Sequence, residues 1–416
     1  MPQRRNVRLL VEFTSVSLIE TKPAICRSCQ ACVDPLLDFG YQPIVNNLKT
    51  KTDSVPKFLI RFGGCTNCGL VQILDPIDPS EFYTNYANAS SIKPEPHLDK
   101  LVNTLESDLP KDAKIIDIGC NDGKFLSRLR DKGFNDLCGL EPTKNMSESA
   151  IGAGFRVFNH YFNEKVSEEI INETGKFDCV VLRQVLEHIE NLSDFGSALR
   201  NLLKPNGLLV VEVPDSEAWF TGHDYGLWEE HLSHFDSRSL QFYLRLHGFE
   251  IFKSYKSIFA GVCLTVFANS TEDSFVATES NDKTVESFRI WANSFASFKR
   301  NVKAEIQNCI DMGGNVVLYG VGARASSFLN FTEITQKLSF AIDDSPAKQG
   351  RYLPGTSVLI RSREDGFKLL KENSLVLLGV NGENERKLLD EIAPYKKCEF
   401  KSILPPSEHL LSSFTQ

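Results

Sequence analysis

The chain has 416 residues, of which 42% are hydrophobic and 24% charged, the balance of a folded globular protein rather than a disordered or fibrous one. A formal net charge of −8 with no continuous basic face argues against a nucleic-acid or anionic-membrane surface, and so against an RNA-modifying enzyme. No apolar run reaches the roughly 20 residues of a membrane span.

The length suggests about three domains. Residues 1–22 read as a disordered leader. Arg4, Arg5 and Arg8 precede only a short apolar run, which Glu12 interrupts, so a secretory signal is not expected and the cytoplasm is the expected compartment. The eleven cysteines are spaced for metal rather than for disulfides. Cys26, Cys29, Cys65 and Cys68 form two Cys-x-x-Cys knuckles, each offering two thiolates to one tetrahedral zinc. Four thiolates close the coordination shell, so the zinc is expected to be structural. Gly69 follows the second knuckle and lets backbone amides turn toward the sulfurs. Cys32 is a spare thiol, and Cys120, Cys138, Cys179 and Cys263 lie in apolar runs that predict core. The zinc module is expected over 23–84.

Residues 83–91 are polar and aromatic and include Tyr86; they suit either a lid over a pocket or a linker. A helix is expected over 97–107. The apolar run 115–118 then ends in Gly119-Cys-Asn121-Asp122-Gly123, the pattern of a buried parallel strand turning tightly into a helix around a nucleotide. The carboxylates of Asp117 and Asp122, before and within this turn, would repel a pyrophosphate but suit a cationic donor without phosphate, which S-adenosylmethionine is. The next predicted strand, 136–140, ends in Glu141, about twenty residues on, where a carboxylate accepts from ribose hydroxyls. Asp117, Gly119, Asn121, Asp122, Gly123 and Glu141 are therefore the expected methyl-donor site. The plainer reading is a strand, turn and helix with an acidic surface.

Helices over 145–153, 165–173 and 193–203 alternate with strands over 156–158, 177–183 and 208–213, with residues 204–207 as a helix stop. This alternation predicts a doubly wound parallel sheet, a Rossmann-like domain expected over 85–270. Ligands of such sheets lie beyond the carboxyl ends of the strands, which places Gln184 and His188 at the same mouth as Glu141. A second cluster, Trp228-Glu229-Glu230-His231 with His234 and Phe235, precedes a helix expected from Ser237. Histidine takes a proton near neutral pH, and a neighbouring carboxylate orients it. The alternative is a group of surface charges at a helix start. After a long helix over 285–312, a strand over 316–319 opens Gly320-Val-Gly322-Ala-Arg324-Ala325, and Asp343 follows a further strand. That pattern alone suits a dinucleotide, a sugar diphosphate or a structural repeat of the fold, in an α/β unit expected over 271–416.

From Cys26 to about Leu389 the chain resembles the three-domain sugar C-methyltransferases that act on nucleotide-linked 4-keto deoxysugars. The resemblance rests on the two knuckles, Cys120-Asn-Asp-Gly123, Gly139-Leu-Glu-Pro142, Val185-Leu-Glu-His188, Glu230-His231 and Tyr319-Gly-Val-Gly-Ala323, in that order. It implies an N-terminal zinc-binding module, a central class I S-adenosylmethionine methyltransferase domain and a C-terminal Rossmann-like domain that holds the nucleotide sugar. It also implies that His231 removes a proton at C3 of the sugar, that Glu230 orients His231 or the substrate, and that His188 and Tyr86 contact substrate or enolate. Trp228 stands where the family has a tyrosine, and Arg324 with Ser326 and Ser327 where it tends to have a lysine. Gly320, Gly322, Arg324 and Ser326 are then the expected substrate cradle. An O- or N-methyltransferase and a non-catalytic binding protein are the other readings of the same chain.

Overall fold

The computed structural model describes residues 24–52, 54–78, 81, 95–224, 227, 229–271, 282–393 and 398–414. The expected leader, the segment 83–91 with Tyr86, and Trp228 lie outside the described residues.

An antiparallel sheet comes first: β1 (Ala24–Ile25), β2 (Cys32–Pro43), β3 (Lys57–Gly64) and β4 (Val71–Ile73). The helix α1 (His97–Asp108) follows, with Leu98, Leu101, Val102 and Leu105 on one buried stripe of helical period. The central unit then alternates β5 (Lys114–Ile118), α2 (Lys124–Asp131), β6 (Asp136–Leu140), α3 (Lys144–Gly152), β7 (Arg156–Phe158), α4 (Glu164–Thr174), β8 (Phe177–Arg183), α5 (Leu192–Leu202) and β9 (Leu203–Pro214). Asn163 and Asn191 cap α4 and α5 through their side-chain oxygens. After α6 (Ser216–Gly222), β10 (Ser233–His234) and α7 (Ser237–Leu246), the hairpin of β11 (Phe249–Ile258) and β12 (Val262–Ser270) closes the sheet. Its order is β11-β12-β9-β8-β5-β6-β7, parallel from β9 to β7 and antiparallel across the hairpin. Ile115, Ile116, Val180, Val181, Val210 and Val211 are buried on both faces of the sheet, as a helix-covered parallel sheet requires.

The third unit runs α8 (Asp282–Asp311), β13 (Val316–Tyr319), α9 (Ala323–Phe331), β14 (Phe340–Ile342), β15 (Ile360–Arg361), α10 (Arg363–Lys368), β16 (Ser374–Leu378), α11 (Gly382–Ile392) and β17 (Cys398–Ser402). Its five strands are all parallel, in the order β15-β14-β13-β16-β17.

Two packing facts set the site. The buried face of α8, with Phe288, Trp291, Phe295 and Phe298, shares one core with Phe39 and Phe62 of the first sheet and Phe328 of the third unit. The knuckle cysteines Cys26, Cys65 and Cys68 share another core with Leu186, Leu192 and Phe235 of the central unit. The short strand β10 leaves its neighbours in sequence and pairs antiparallel with β4, Ser233 opposite Gln72 and His234 opposite Val71. Residues 204–207, expected as a helix stop, are drawn into β9, with Asn206 at φ 60° bending the strand start. No described helix is long and apolar enough to cross a membrane.

Candidate active site

The two knuckles are conformational twins. Cys26 N donates to Ala31 O and Gln30 N to Cys26 O; likewise Cys65 N donates to Leu70 O and Gly69 N to Cys65 O. Gln30 and Gly69 occupy the same place in each loop, both left-handed at φ 62° and 82°. The loops bring all four Sγ atoms within 4.8 Å of one another, with Cys26 to Cys68 at 3.4 Å and Cys29 to Cys65 at 3.5 Å. A tetrahedral ion with zinc–sulfur bonds of about 2.3 Å separates its sulfurs by about 3.8 Å. Arg27, inside the first knuckle, donates from Nη1 to Ile73 O at 2.8 Å and Leu232 O at 3.1 Å. The knuckle thus holds the backbone directly after His231.

At the end of β5 the chain turns through Gly119 at φ 77°, Asn121 at φ 50° and Gly123 at φ 80°. A Cβ at Gly119 would meet Val185 Cγ2 at 2.5 Å, so only glycine fits under the Val185–His188 segment. Glu141, at the end of β6, accepts from Asn121 N at 3.0 Å and Thr143 N at 2.8 Å, which fixes its carboxylate over the turn. Asp117 is fully buried, and neither of its oxygens has a hydrogen-bond partner among the described residues; Arg183 stands 3.9 Å away. Burial raises Asp117 to about 7, opposed by Arg183 and reinforced by Glu141, Glu95 and Glu212. Four carboxylates gathered at one sheet end make a field that favours a cationic ligand. Gln184 lies on the same edge, donating to Cys263 Sγ at 3.2 Å and Glu212 Oε1 at 3.5 Å.

The short helical turn Leu186–His188 follows β8, and Glu230-His231 immediately precedes β10. His188 Nδ1 donates to Glu230 O at 2.9 Å, and the His188 and His231 rings stand edge to face with centroids 4.8 Å apart. Burial lowers His188 to about 4 and His231 well below the usual imidazole range, His188 and His234 adding to the effect on His231. Both rings are therefore neutral at pH 7. Glu230 accepts from Asn46 Nδ2 at 3.1 Å, and Glu229 accepts from Val45 N at 2.6 Å. The carboxylate that lies with the histidines is Glu187: it, His188 and His231 each place a donor atom within 4.8 Å of the other two. In the sequence Glu187 stands only as part of the Val185–His188 motif, with no spacing signal of its own.

Three family models match in chain order: a zinc binding domain over residues 26–83, a methyltransferase domain over 93–254 and a C-methyltransferase C-terminal domain over 269–387. The chain is 26% identical to the C-methyltransferase NovU of Streptomyces niveus across 85% of this chain and 89% of that protein. This chain belongs to the three-domain, zinc-containing C-methyltransferases. It is 30% identical to the ubiquinone biosynthesis O-methyltransferase of Rickettsia typhi, over 24% of this chain and 40% of that protein. A magnesium protoporphyrin IX methyltransferase of Synechocystis PCC 6803, solved with S-adenosylmethionine, is 18% identical over 42% of this chain and 78% of that one, with a TM-score of 0.33.

The C-methyltransferase uses S-adenosylmethionine and a structural zinc. Both fit what the residues offer. The four converging sulfurs suit zinc, and the turn beneath Glu141, facing a carboxylate-rich mouth, suits a ribose and a sulfonium.

The glycine turn of the third unit differs from expectation. Gly320 is left-handed at φ 93°, and a Cβ there would meet Val380 Cγ1 at 2.7 Å and Gly379 O at 3.0 Å, so packing against the neighbouring strand end requires it. Among the described residues nothing lies within 4 Å of a Cβ at Gly322. Arg324, expected in an open anion cradle, is 5% exposed and turned the other way. Its guanidinium pairs with Asp224 at 2.6 Å and donates to Asn381 Oδ1 and Pro405 O. A buried carboxylate holds a guanidinium far more firmly than a solvated site would. Ser326 is also buried, on the packed face of α9. Asp343 accepts from Val321 N, Ser345 N and Lys348 Nζ, so protein groups already engage the acid that a dinucleotide ribose would meet.

Proposed function

We propose that this S-adenosylmethionine-dependent C-methyltransferase methylates C3 of a nucleotide-linked 4-keto deoxysugar, with His231 as the base that removes the C3 proton. The observation that carries the reading is the pair of neutral imidazoles, His231 buried and His188 partly exposed, set edge to face with centroids 4.8 Å apart. A carbon beside a ketone becomes a nucleophile only when its proton is taken, and a neutral imidazole at pH 7 has the lone pair to take it. Bound S-adenosylmethionine supplies the methyl as a sulfonium electrophile. Glu141 and the amides of the turn hold that donor, while the Asp117, Glu95 and Glu212 carboxylates favour its charge.

His188 has its Nδ1 hydrogen committed to Glu230 O, which leaves the Nε2 lone pair as an acceptor for a sugar hydroxyl. That same bond fixes the peptide carrying His231. Glu230 positions the loop through Asn46. Trp228 and Tyr86 remain the candidate donors to the enolate oxygen, an indole N–H and a phenol. The diphosphate is assigned to the third unit, near Gly322 at the start of α9, where no side chain fills the approach.

The deciding experiment incubates the enzyme with methyl-labelled S-adenosylmethionine and a panel of nucleotide-linked 4-keto deoxysugars, and locates the label by fragmentation mass spectrometry. Label on C3 supports the reading, and label on oxygen or nitrogen sinks it. His231→Ala should lower turnover by about 10²–10⁴-fold with unchanged S-adenosylmethionine affinity. It should also abolish deuterium exchange at C3 measured without methyl donor.

A further inference from the structure

We propose that Glu187, His188 and His231 form a second, exchangeable divalent-cation site of the kind that takes Zn2+, and that filling it stops turnover by occupying the imidazole lone pairs at the reacting end of the pocket. Binding stands on the cluster alone; the effect on turnover rests on the proposed role of His231.

Two imidazoles and one carboxylate are a donor set that holds zinc in open, exchangeable sites, and here one donor atom from each lies within 4.8 Å of the others. The second observation is Glu187 itself. Its side chain is 2% exposed, and neither carboxylate oxygen has a hydrogen-bond partner among the described residues. A buried carboxylate without a donor is costly, and a cation between it and the two rings relieves that cost. His188 shows the arrangement expected of a metal-bound histidine: Nδ1 donates to a backbone carbonyl, Glu230 O, which fixes the tautomer and leaves Nε2 to coordinate. Glu187 and His231 are buried while His188 is partly exposed, so an ion enters past His188 and keeps its remaining positions toward the mouth.

This site differs in kind from the knuckles. Four thiolates close a shell and hold zinc permanently, whereas three mixed donors leave a position for water and release the ion to a mild chelator. A protein that must acquire zinc for its knuckles thus carries, next to its base, a site that senses zinc in excess.

The test loads the full-length protein with knuckle zinc and dialyses it against buffered free Zn2+, counting bound metal per chain and turnover on the same samples. Two ions in the wild type, one in Glu187→Gln, and a roughly hundredfold loss of wild-type turnover reversed by a weak chelator are expected. One ion in the wild type, or two in both proteins, overturns the site. A second ion that depends on Glu187 but leaves turnover intact overturns the inhibition, and with it the role of His231 as base. S-adenosylmethionine affinity verifies the fold of Glu187→Gln, and His188→Gln asks the same question should that variant not fold.

Discussion

Two glycine turns in this molecule are built on the same backbone plan and end up with different chemistry. In each, a left-handed glycine closes a buried strand and donates to the last residue of the next strand: Gly119 N to Leu140 O at 2.7 Å, Gly320 N to Ile342 O at 2.8 Å. In each, the acid just past that second strand accepts an amide of the turn, Asn121 N to Glu141 and Val321 N to Asp343. There the likeness ends. Among the described residues no lysine or arginine pairs with Glu141, whereas Lys348 Nζ reaches Asp343 at 3.1 Å and Val321 O at 2.6 Å. Arg324, the cation the second turn offers, is spent on Asp224 in the central unit. Strand, glycine and acid make the turn; the charges packed around it decide whether a ligand can use it.

The largest effect that would sharpen this contrast comes from Arg324→Met. It leaves the Asp224 charge buried without its guanidinium, so unfolding in denaturant should show about 3–5 kcal/mol lost, with S-adenosylmethionine affinity nearly unchanged. An unaltered midpoint together with lost sugar-nucleotide binding would break the contrast. Next is Asp117→Asn. Burial raises the folded pKa of Asp117 from 3.8 to about 7, so its protonated form favours folding below pH 4, and that contribution is lost as pH rises to 7. The stability of the variant relative to wild type should climb across that window and level off above it, measured by denaturant unfolding at several pH values. A flat difference would mean that Arg183 neutralises the carboxylate.

Glu141→Ala should weaken S-adenosylmethionine binding by about ten- to a hundredfold in calorimetry, the worth of hydrogen bonds to one carboxylate. Asp343→Ala should leave that affinity unchanged. The smallest effect is that of Lys348→Met: its side chain is 37% exposed, so less than about 1 kcal/mol of stability should be lost. Any gain in nucleotide affinity from this variant would show that the lysine blocks the second turn.

The parts of the molecule legible in the chain were those whose signal is local. The strands over 156–158, 177–183 and 316–319 stand where the apolar runs placed them, and the helix expected over 97–107 runs one residue further. Other elements left no such mark. In the hairpin, β12 is buried against β9 while β11 at the sheet edge is largely exposed, and only the register shows that the hairpin extends the parallel sheet. β10 is two residues long, and its partner β4 lies about 160 positions earlier.

The sequence by itself determined the four-cysteine cluster, the glycine turn after β5 and the alternation that makes the central sheet, because spacing and periodicity within a few residues carry those signals. Only the tertiary structure decided that Arg27 of the knuckle grips the carbonyl after His231, that the Glu187 carboxylate comes within 4.8 Å of His231, and that Arg324 turns toward Asp224. Arg27 and Leu232, Glu187 and His231, and Arg324 and Asp224 are polar or charged groups brought together from more than 40 positions apart. Such groups choose the partner that best offsets their lost hydration, and which partner is near enough is known only once the sheets have packed.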